Sequence, residues 1–311
     1  MKKTVKYFLF FLLSLLLIFI GIGILNSSKI KKGALNFTND WQGKIINING
    51  ENIRYIQEGK GKDVLLIHGT PGSIEDWNPL INKLKNNYRV TVFDRLGNGF
   101  STANNYKYTL SENTNFVTTF INKLNLSDVV IVGHSYGGSI ATKLATQKND
   151  KIKSFVVIAS PLYQFNNSFD HKLLASPLIG KGIAILIAKF AAKPMIETGL
   201  KKAFGEEISS GFLKTRIQLW SQSKVLYTTS NERKNYEDDL LESSKNYKNI
   251  TKKITFFVGL KDNKNIIEDF NQTKKDIKQA QNISFNDVSH YIQFEKTNEI
   301  LTIVEEHLNQ N

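Results

Sequence analysis

The stretch that decides the fold is "VVIVGHSYGGSIATKLA", residues 129–145. Its first four residues are β-branched and predict a buried strand, and residues 135–147 predict a helix. Ser135 stands at the junction, with Gly133 and Gly137 two positions away on either side. Because a Cβ at either glycine would crowd a tight turn, the Gly-x-Ser-x-Gly pattern indicates a hydroxyl held between strand and helix. By itself the pattern is weak, since serine also caps helices and glycine also forms turns.

Composition limits the classes of function. The chain has 311 residues, enough for one large core or for a domain with an insertion, and it has no cysteine. Structural disulfides, thiolate zinc sites and a cysteine nucleophile are therefore excluded. The net charge of +13 is dispersed, without a block of five or six basic residues beyond the N-terminal region. No nucleic-acid-binding motif accompanies it, so we expect no nucleic-acid partner.

The N-terminal region predicts a membrane anchor. Residues 7–25 carry no charge, and as a helix they extend about 28 Å, close to the roughly 30 Å of a hydrocarbon core. No Ala-x-Ala-like site follows, which favours an uncleaved single-pass anchor over a cleaved signal peptide. Basic residues flank both ends of this segment. By the positive-inside rule, the N-terminal amine together with the first three lysines slightly favours a cytoplasmic N-terminus. We therefore expect the rest of the chain to lie outside the cytoplasm. Abundant Asn, Lys and Ile suggest an AT-rich bacterial genome.

The body alternates apolar runs with helical stretches. A hairpin with a type I′ turn is predicted at Asn49-Gly50. The runs that follow are "VLLIHG", "YRVTVFD", "DVVIVG", "SFVVIAS", "ITFFVGL" and "QNISFND". Such runs, separated by helices, are typical of a parallel sheet covered on both faces, and we predict an α/β fold with a mostly parallel eight-stranded sheet. Helices are predicted at residues 75–85, 111–124, 135–147, 266–280 and 297–308.

One segment interrupts this alternation and sets the predicted domain organisation. About ninety residues between "IASP" and "ITFFVGL" lack a convincing strand and contain helical sequences. We interpret them as a helical cap over the carboxyl edge of the sheet. The predicted units are an anchor with its basic flank, a linker, a first part of the core, the cap and a second part of the core: residues 1–28, 29–43, 44–161, 162–250 and 251–311.

Four motifs, in order along the chain, resemble those of α/β-hydrolases, and the resemblance covers roughly residues 44–308. They are "HGTPG", "DRLGNGFS", "GHSYG" and a late Asp and His pair, in "VGLKD" and "NDVSHY". The resemblance implies that Ser135 is the nucleophile and that the backbone N–H groups of Thr70 and Tyr136 form the oxyanion hole. It gives the loop at residues 94–101 a structural role.

The resemblance also implies the chain order serine, acid, histidine. Of the five histidines, His290 lies in the loop after the last predicted strand, where the family places its base. His307, in the terminal helix, is expected to be solvated or half-buried. For the acid, Asp262 lies in a Gly-x-x-Asp turn just past a strand, and Asp287, at the start of the histidine loop, is the alternative.

The function implied is that of a serine hydrolase, carboxylesterase- or lipase-like (EC 3), without a metal or an organic cofactor. It would cleave an ester-like or other acyl bond of a small, hydrophobic substrate through an acyl-enzyme. Serine at the elbow argues against haloalkane dehalogenases and epoxide hydrolases, which resemble this chain but use aspartate there. Two alternatives stay open. "HGTPG" is similar to the "HGGPG" of proline iminopeptidases, and the chain could be a membrane-tethered binding module of hydrolase fold without turnover.

Overall fold

An eight-stranded sheet forms the centre of the molecule. The computed structural model describes residues 2–38, 40–164, 169–204 and 208–309. Strands β1 to β8 are, in chain order, Lys44–Ile48, Glu51–Glu58, Asp63–Ile67, Arg89–Phe93, Val129–His134, Ile152–Ile158, Ile254–Gly259 and Gln281–Phe285. They lie in the spatial order β1-β2-β4-β3-β5-β6-β7-β8.

The sheet is mixed, which corrects the prediction of a mostly parallel sheet. Strands β1 and β2 pair antiparallel, and β2 is also antiparallel to β4, whereas β3 to β8 pair in parallel. The cause is the hairpin between β1 and β2, where Asn49 and Gly50 have φ values of 53° and 85°. Positive φ at both positions is what a type I′ turn requires, so the predicted hairpin is confirmed, and it reverses the chain at this edge.

Helices cover both faces of the sheet, as predicted. The helices outside the segment between β6 and β7 are α1 Lys2–Leu25, α2 Ser27–Lys32, α3 Asn78–Leu84, α4 Leu110–Lys123, α5 Tyr136–Ala145, α11 Lys264–Asp276, α12 Ile292–Glu295 and α13 Thr297–Asn309. Successive residues of β3 point to opposite faces: Leu65 packs on the side of α4, α5 and α11, and Leu66 on the side of α3, α12 and α13. The helix predicted at residues 75–85 is divided into a 3₁₀ turn, Ile74–Trp77, and α3.

The turn between β5 and α5 is closed by two glycines. A Cβ built on Gly137 would lie 2.1 Å from the carbonyl oxygen of Ile67 in β3, and one built on Gly133 would lie 2.3 Å from the carbonyl oxygen of Gly137. Between them, Ser135 has φ 52° and ψ −122°, and its N–H donates to the carbonyl of Ile158 in β6 at 2.9 Å. Helix α5 therefore starts directly against the strand ends, and the serine sits at the tip of the turn.

The segment between β6 and β7 is helical in its described part. It contains α6 Phe169–Leu174, α7 Gly180–Phe190, α8 Ala192–Phe204, α9 Ser210–Trp220 and α10 Ser223–Ser244, which we call the inserted helices. Helix α10 packs against α4, α6 and α7, and α8 packs against α9. Two buried ion pairs tie these helices to the loops after β3 and β4: Arg95 with Glu232, and Arg216 with Asp76.

Helix α1 lies against the inserted helices and exposes most of its apolar side chains. Among the described residues, Lys3–Leu25 is the one helix long and apolar enough to cross a membrane, with a mean hydropathy of 3.0; a signal sequence passes the same test. Its last turns pack on α7, where a Cβ on Gly182 would lie 2.1 Å from the carbonyl oxygen of Phe19. A Cβ on Gly23 would lie 3.0 Å from Cβ of Lys181, so both glycines permit the close approach.

The elbow glycine can be tested by adding one methyl group. Gly137→Ala should lower the free energy of unfolding by about 3 kcal/mol or more, because the added Cβ meets a backbone carbonyl that cannot rotate away. Gly211→Ala is the control, since open space surrounds that position and alanine there should be neutral or stabilising by up to about 1 kcal/mol. Urea unfolding followed by tryptophan fluorescence measures both. Equal stability of the two variants would contradict the close packing of the elbow.

Candidate active site

His290 and Asp262 are joined by a hydrogen bond at the carboxyl ends of β7 and β8. Nδ1 of His290 lies 2.8 Å from Oδ2 of Asp262, with the histidine side chain 19% exposed and the aspartate 5%. The two loops are held together by their backbones, since the N–H of Lys261 donates to the carbonyl of Val288 at 3.0 Å. With Nδ1 engaged by the carboxylate, Nε2 is the ring nitrogen left to exchange a proton.

Asp287, the alternative acid, lies elsewhere. Its carboxylate is 67% exposed and accepts from Nζ of Lys296 at 3.1 Å. The lysine hydrogen bond lowers the pKa of this carboxyl below its usual value, as expected for an exposed surface ion pair. The structure thus brings Asp262, and not Asp287, to the imidazole of His290.

Ser135 and His290 line the same cavity. In the described part of the chain no hydrogen bond joins the hydroxyl of Ser135 to the imidazole. Catalytic hydrogen bonds in free enzymes are often longer than in substrate complexes, so this geometry is compatible with proton transfer once a substrate is bound. Both groups lie at the carboxyl edge of the sheet, although 155 positions separate Ser135 from His290 along the chain.

The loop after β3 runs directly beside the serine. A Cβ built on Gly69 would lie 3.0 Å from Cβ of Ser135, and Thr70, the next residue, lines the same cavity. Tyr136 is the first residue of α5, where backbone N–H groups have no acceptor within the helix. The structure therefore places both predicted oxyanion donors, Thr70 and Tyr136, on backbone segments that flank Ser135.

Two buried side chains fix the carbonyl of Gly69, and hence the loop that carries Thr70. Burial, and next the charge of Arg95, hold the pKa of His68 well below its usual value, so the imidazole is neutral. The N–H of Arg95 donates to Nε2 of His68 at 2.9 Å, which leaves Nδ1–H to donate to the carbonyl of Gly69 at 2.8 Å. Nη2 of Arg95 donates to the same carbonyl at 3.1 Å.

Arg95 also connects this loop to the inserted helices. Its Nη1 and Nη2 lie 2.7 and 3.0 Å from the two carboxylate oxygens of Glu232 in α10, and both side chains are buried. Tyr106 donates to the same carboxylate at 2.5 Å. Sequence reasoning missed this pair. Arg95 lies inside the "DRLGNGFS" motif, but nothing local marks Glu232, an acid in the middle of a polar helix 137 residues further on.

The three remaining histidines, His134, His171 and His307, are each bonded to groups other than Asp262. Nε2 of His134 lies 3.0 Å from the carbonyl oxygen of His290, and burial holds its pKa well below the usual value, so neutral His134 donates to the backbone of the histidine loop. His171, in α6, has its Nε2 2.6 Å from Nη1 of Arg233 in α10. His307 is buried between the hydroxyls of Ser154 and Thr255, which corrects the expectation of a solvated or half-buried side chain.

Two cavities meet at Ser135 and His290. The first, of about 340 Å³, is walled mainly by apolar side chains of the inserted helices: Leu174, Ile187, Met195, Ile196, Leu200, Trp220, Val225 and Leu226. The second, of about 940 Å³, is more polar than the first and includes Lys202 and Lys261, and Arg233 lines both cavities. The described residues contain no cluster of three or more His, Cys, Asp or Glu side chains arranged to hold a metal ion.

The loop from Asp94 to Ser101 has the structural position predicted for it. Buried Asp94 accepts from the N–H of Ile74 at 2.9 Å and from the N–H of Phe100 at 2.8 Å. Gly99 has φ 47°, and a Cβ there would lie 2.0 Å from the carboxylate. Asp94 thus joins its own loop to the start of the 3₁₀ turn that follows β3.

Comparison with known proteins shows the family. The family model described as "alpha/beta hydrolase fold" matches residues 63–297. The chain belongs to the α/β-hydrolase fold family, because this match spans most of its length and carries the elbow, the acid and the histidine.

Curated relatives are similar at low identity. An (E)-2-((N-methylformamido)methylene)succinate hydrolase of Acinetobacter baylyi is 26% identical over 58% of this chain and 66% of its own length. A 2-hydroxy-6-oxo-6-(2'-aminophenyl)hexa-2,4-dienoic acid hydrolase of Metapseudomonas resinovorans is 31% identical over 38% of this chain and 42% of its own. The aligned parts cover less than two thirds of the length of these relatives, and the names support hydrolase activity in general without a particular reaction.

Solved structures resemble the fold. An esterase from Exiguobacterium antarcticum superposes with a TM-score of 0.71 at 18% identity, over 86% of this chain and 100% of its own. An enol-lactonase from Burkholderia xenovorans gives a TM-score of 0.69 at 17% identity, with the same coverage of both chains. At these identities the likeness concerns the fold alone.

The ion pair between Arg95 and Glu232 can be tested by comparing two glutamates of α10, one buried and one exposed. Glu232→Gln should lower the free energy of unfolding by about 3–5 kcal/mol, because it leaves the guanidinium buried without a counter-charge. Glu237→Gln, on the exposed face of the same helix, should change it by less than about 0.5 kcal/mol. Urea unfolding of both variants provides the measurement. A Glu232 variant as stable as the Glu237 variant would show that the pair does not hold α10 to the loop.

Proposed function

We propose that the protein is a serine hydrolase that cleaves an ester or a related acyl bond through an acyl-enzyme. The observation that carries the proposal is the hydrogen bond between His290 and Asp262 at the cavity that Ser135 also lines. Ser135 acts as nucleophile, His290 as base and Asp262 as the orienting acid, in the chain order of the family. The presence of all three side chains, Ser135, His290 and Asp262, supports a catalytic role over a purely binding one.

The chemistry divides into two balanced steps. Oγ of Ser135 bonds to the acyl carbon while Nε2 of His290 takes the hydroxyl proton, and the carboxylate of Asp262 stabilises the imidazolium that forms. The backbone N–H groups of Thr70 and Tyr136 stabilise the negative oxygen of the tetrahedral state, and each such donor contributes about 2.7–4 kcal/mol to the barrier reduction. The leaving alcohol departs with the proton from His290. Water, activated by the same imidazole, then releases the acid and restores the serine.

The apolar first cavity supports a hydrophobic acyl group as the part of the substrate bound beside the serine. We further propose that α1 remains attached and tethers the enzyme to a membrane, with the catalytic body outside the cytoplasm. Its length, its hydropathy and its exposed apolar side chains support this assignment.

An active-site probe tests the nucleophile. A fluorophosphonate should label the wild-type protein and Ser210→Ala, an exposed serine control in α9, but it should not label Ser135→Ala. Gel fluorescence after a short incubation gives the result, and intact mass spectrometry locates the adduct. Labelling that survives the Ser135 substitution would remove this serine from the mechanism.

The two aspartates provide a matched pair for the acid. Asp262→Asn should lower kcat on a p-nitrophenyl ester by about 10⁴-fold, because the amide no longer stabilises the imidazolium or its tautomer. Asp287→Asn, in the neighbouring loop, removes only an exposed ion pair and should leave kcat within about twofold. Steady-state rates of both variants decide between them. The reverse pattern would assign the acid to Asp287.

A further inference from the structure

The two cavities that meet at Ser135 differ in chemistry. Apolar side chains dominate the first cavity, whereas Lys202 and Lys261 line only the second, and Arg233 lines both. Among the described residues that line the second cavity, the one carboxylate is that of Asp262, which is bonded to His290. An ester with an apolar acyl chain on one side of the carbonyl and an anionic group on the other side matches this arrangement in polarity and charge.

The first cavity opens at an apolar edge of the inserted helices. Met195 lines it and is also 51% exposed, which places the opening at α8. Four of the seven exposed large apolar side chains found outside α1 in the described residues lie within residues 173–195: Leu173, Leu178, Phe190 and Met195. Residues 169–204 also carry six lysines against two acidic residues. An apolar edge with a basic surround is typical of surfaces that bind anionic membranes.

This edge is attached to the helix that could enter a membrane. Helix α7, which connects Leu178 to Phe190, packs on the last turns of α1 through the close contacts of Gly182 with Phe19 and of Gly23 with Lys181. Glycine contacts of this kind let two helices pack closely within a bilayer, where the hydrophobic effect does not drive helices together. A bilayer that holds α1 therefore meets α7 and the opening beside it.

We propose that the substrate is an acyl ester of a membrane lipid with an anionic headgroup, taken from the bilayer by α6 to α8 lying on its surface. The acyl chain enters the first cavity through the opening at Met195, and the headgroup lies in the second cavity near Lys202. Oγ of Ser135 bonds to the acyl carbon, the ester C–O bond breaks, and the lysolipid leaves with the proton from His290. Water then releases the fatty acid. This proposal rests on the serine hydrolase function and on the tether proposed above.

Full-length protein in nanodiscs of phosphatidylglycerol or of phosphatidylcholine tests the substrate class. We expect fatty acid and lysolipid from phosphatidylglycerol, at a rate at least about tenfold above that from phosphatidylcholine, and none with Ser135→Ala. A p-nitrophenyl butyrate assay runs in parallel. Turnover of the butyrate alone would overturn the lipid proposal and leave the hydrolase function intact. Absence of both activities would overturn the hydrolase function as well.

Charged substitutions test the docking edge. Phe190→Glu and Leu178→Glu should each lower lipid hydrolysis by about tenfold and leave butyrate turnover within about twofold, because neither side chain lines a cavity. Leu241→Glu, at another exposed leucine, in α10, should alter neither activity. Lipid rates that do not respond to the two edge variants, or that fall equally with Leu241→Glu, would overturn docking through this edge.

A lysine pair tests the headgroup site. Lys202→Gln should reduce the preference for phosphatidylglycerol over phosphatidylcholine by about threefold or more, since one cationic donor to the headgroup is lost. Lys148→Gln, just beyond the carboxyl end of α5 and away from the second cavity, should keep the preference unchanged. A preference that persists in the Lys202 variant would remove the second cavity as the headgroup site.

Discussion

The structure depends on the close approach of Gly137 to the carbonyl of Ile67. Because Gly137 carries only a hydrogen where a Cβ would clash, α5 can begin directly against β3. Ser135 then lies at the tip of the turn, with its backbone N–H bonded to β6. Gly69 of the neighbouring loop then comes within contact distance of the serine. The elbow thus fixes Ser135, the proposed nucleophile, relative to both predicted oxyanion donors before any side chain of the site contributes.

A second constraint lies above the elbow, where buried charges hold the inserted helices. Arg95 is bonded to the carbonyl of Gly69 and to Glu232 in α10, and Arg216 in α9 is paired with Asp76. Opening such a pair leaves a buried charge without a partner, at a cost of about 3–5 kcal/mol. Lifting α9 and α10 from the site is therefore unfavourable, and access through the opening at α8 requires no such loss. The same arginine is bonded to the loop that carries Thr70, so the inserted helices and this loop are joined through one side chain.

Membership of the α/β-hydrolase fold family does not by itself identify a substrate, because one fold hosts many reactions. The substrate has to be argued from the cavities: an apolar one beside the serine, a basic one beside the acid, and an opening next to the helix that could enter a membrane.

The sequence by itself determined the α/β class, the hairpin at Asn49-Gly50, the helices on both faces and the position of Ser135, because strand patterns and glycine turns are local signals. It favoured Asp262 over Asp287 as the acid without a contact to support the choice, and it misjudged both the mixed sheet and the burial of His307. Pairing direction and burial depend on partners distant in the chain. Only the tertiary structure decided that Asp262 meets His290, that Glu232 meets Arg95 and that α1 packs on α7. Contacts between residues far apart in sequence leave no periodic pattern, and folding alone brings them together.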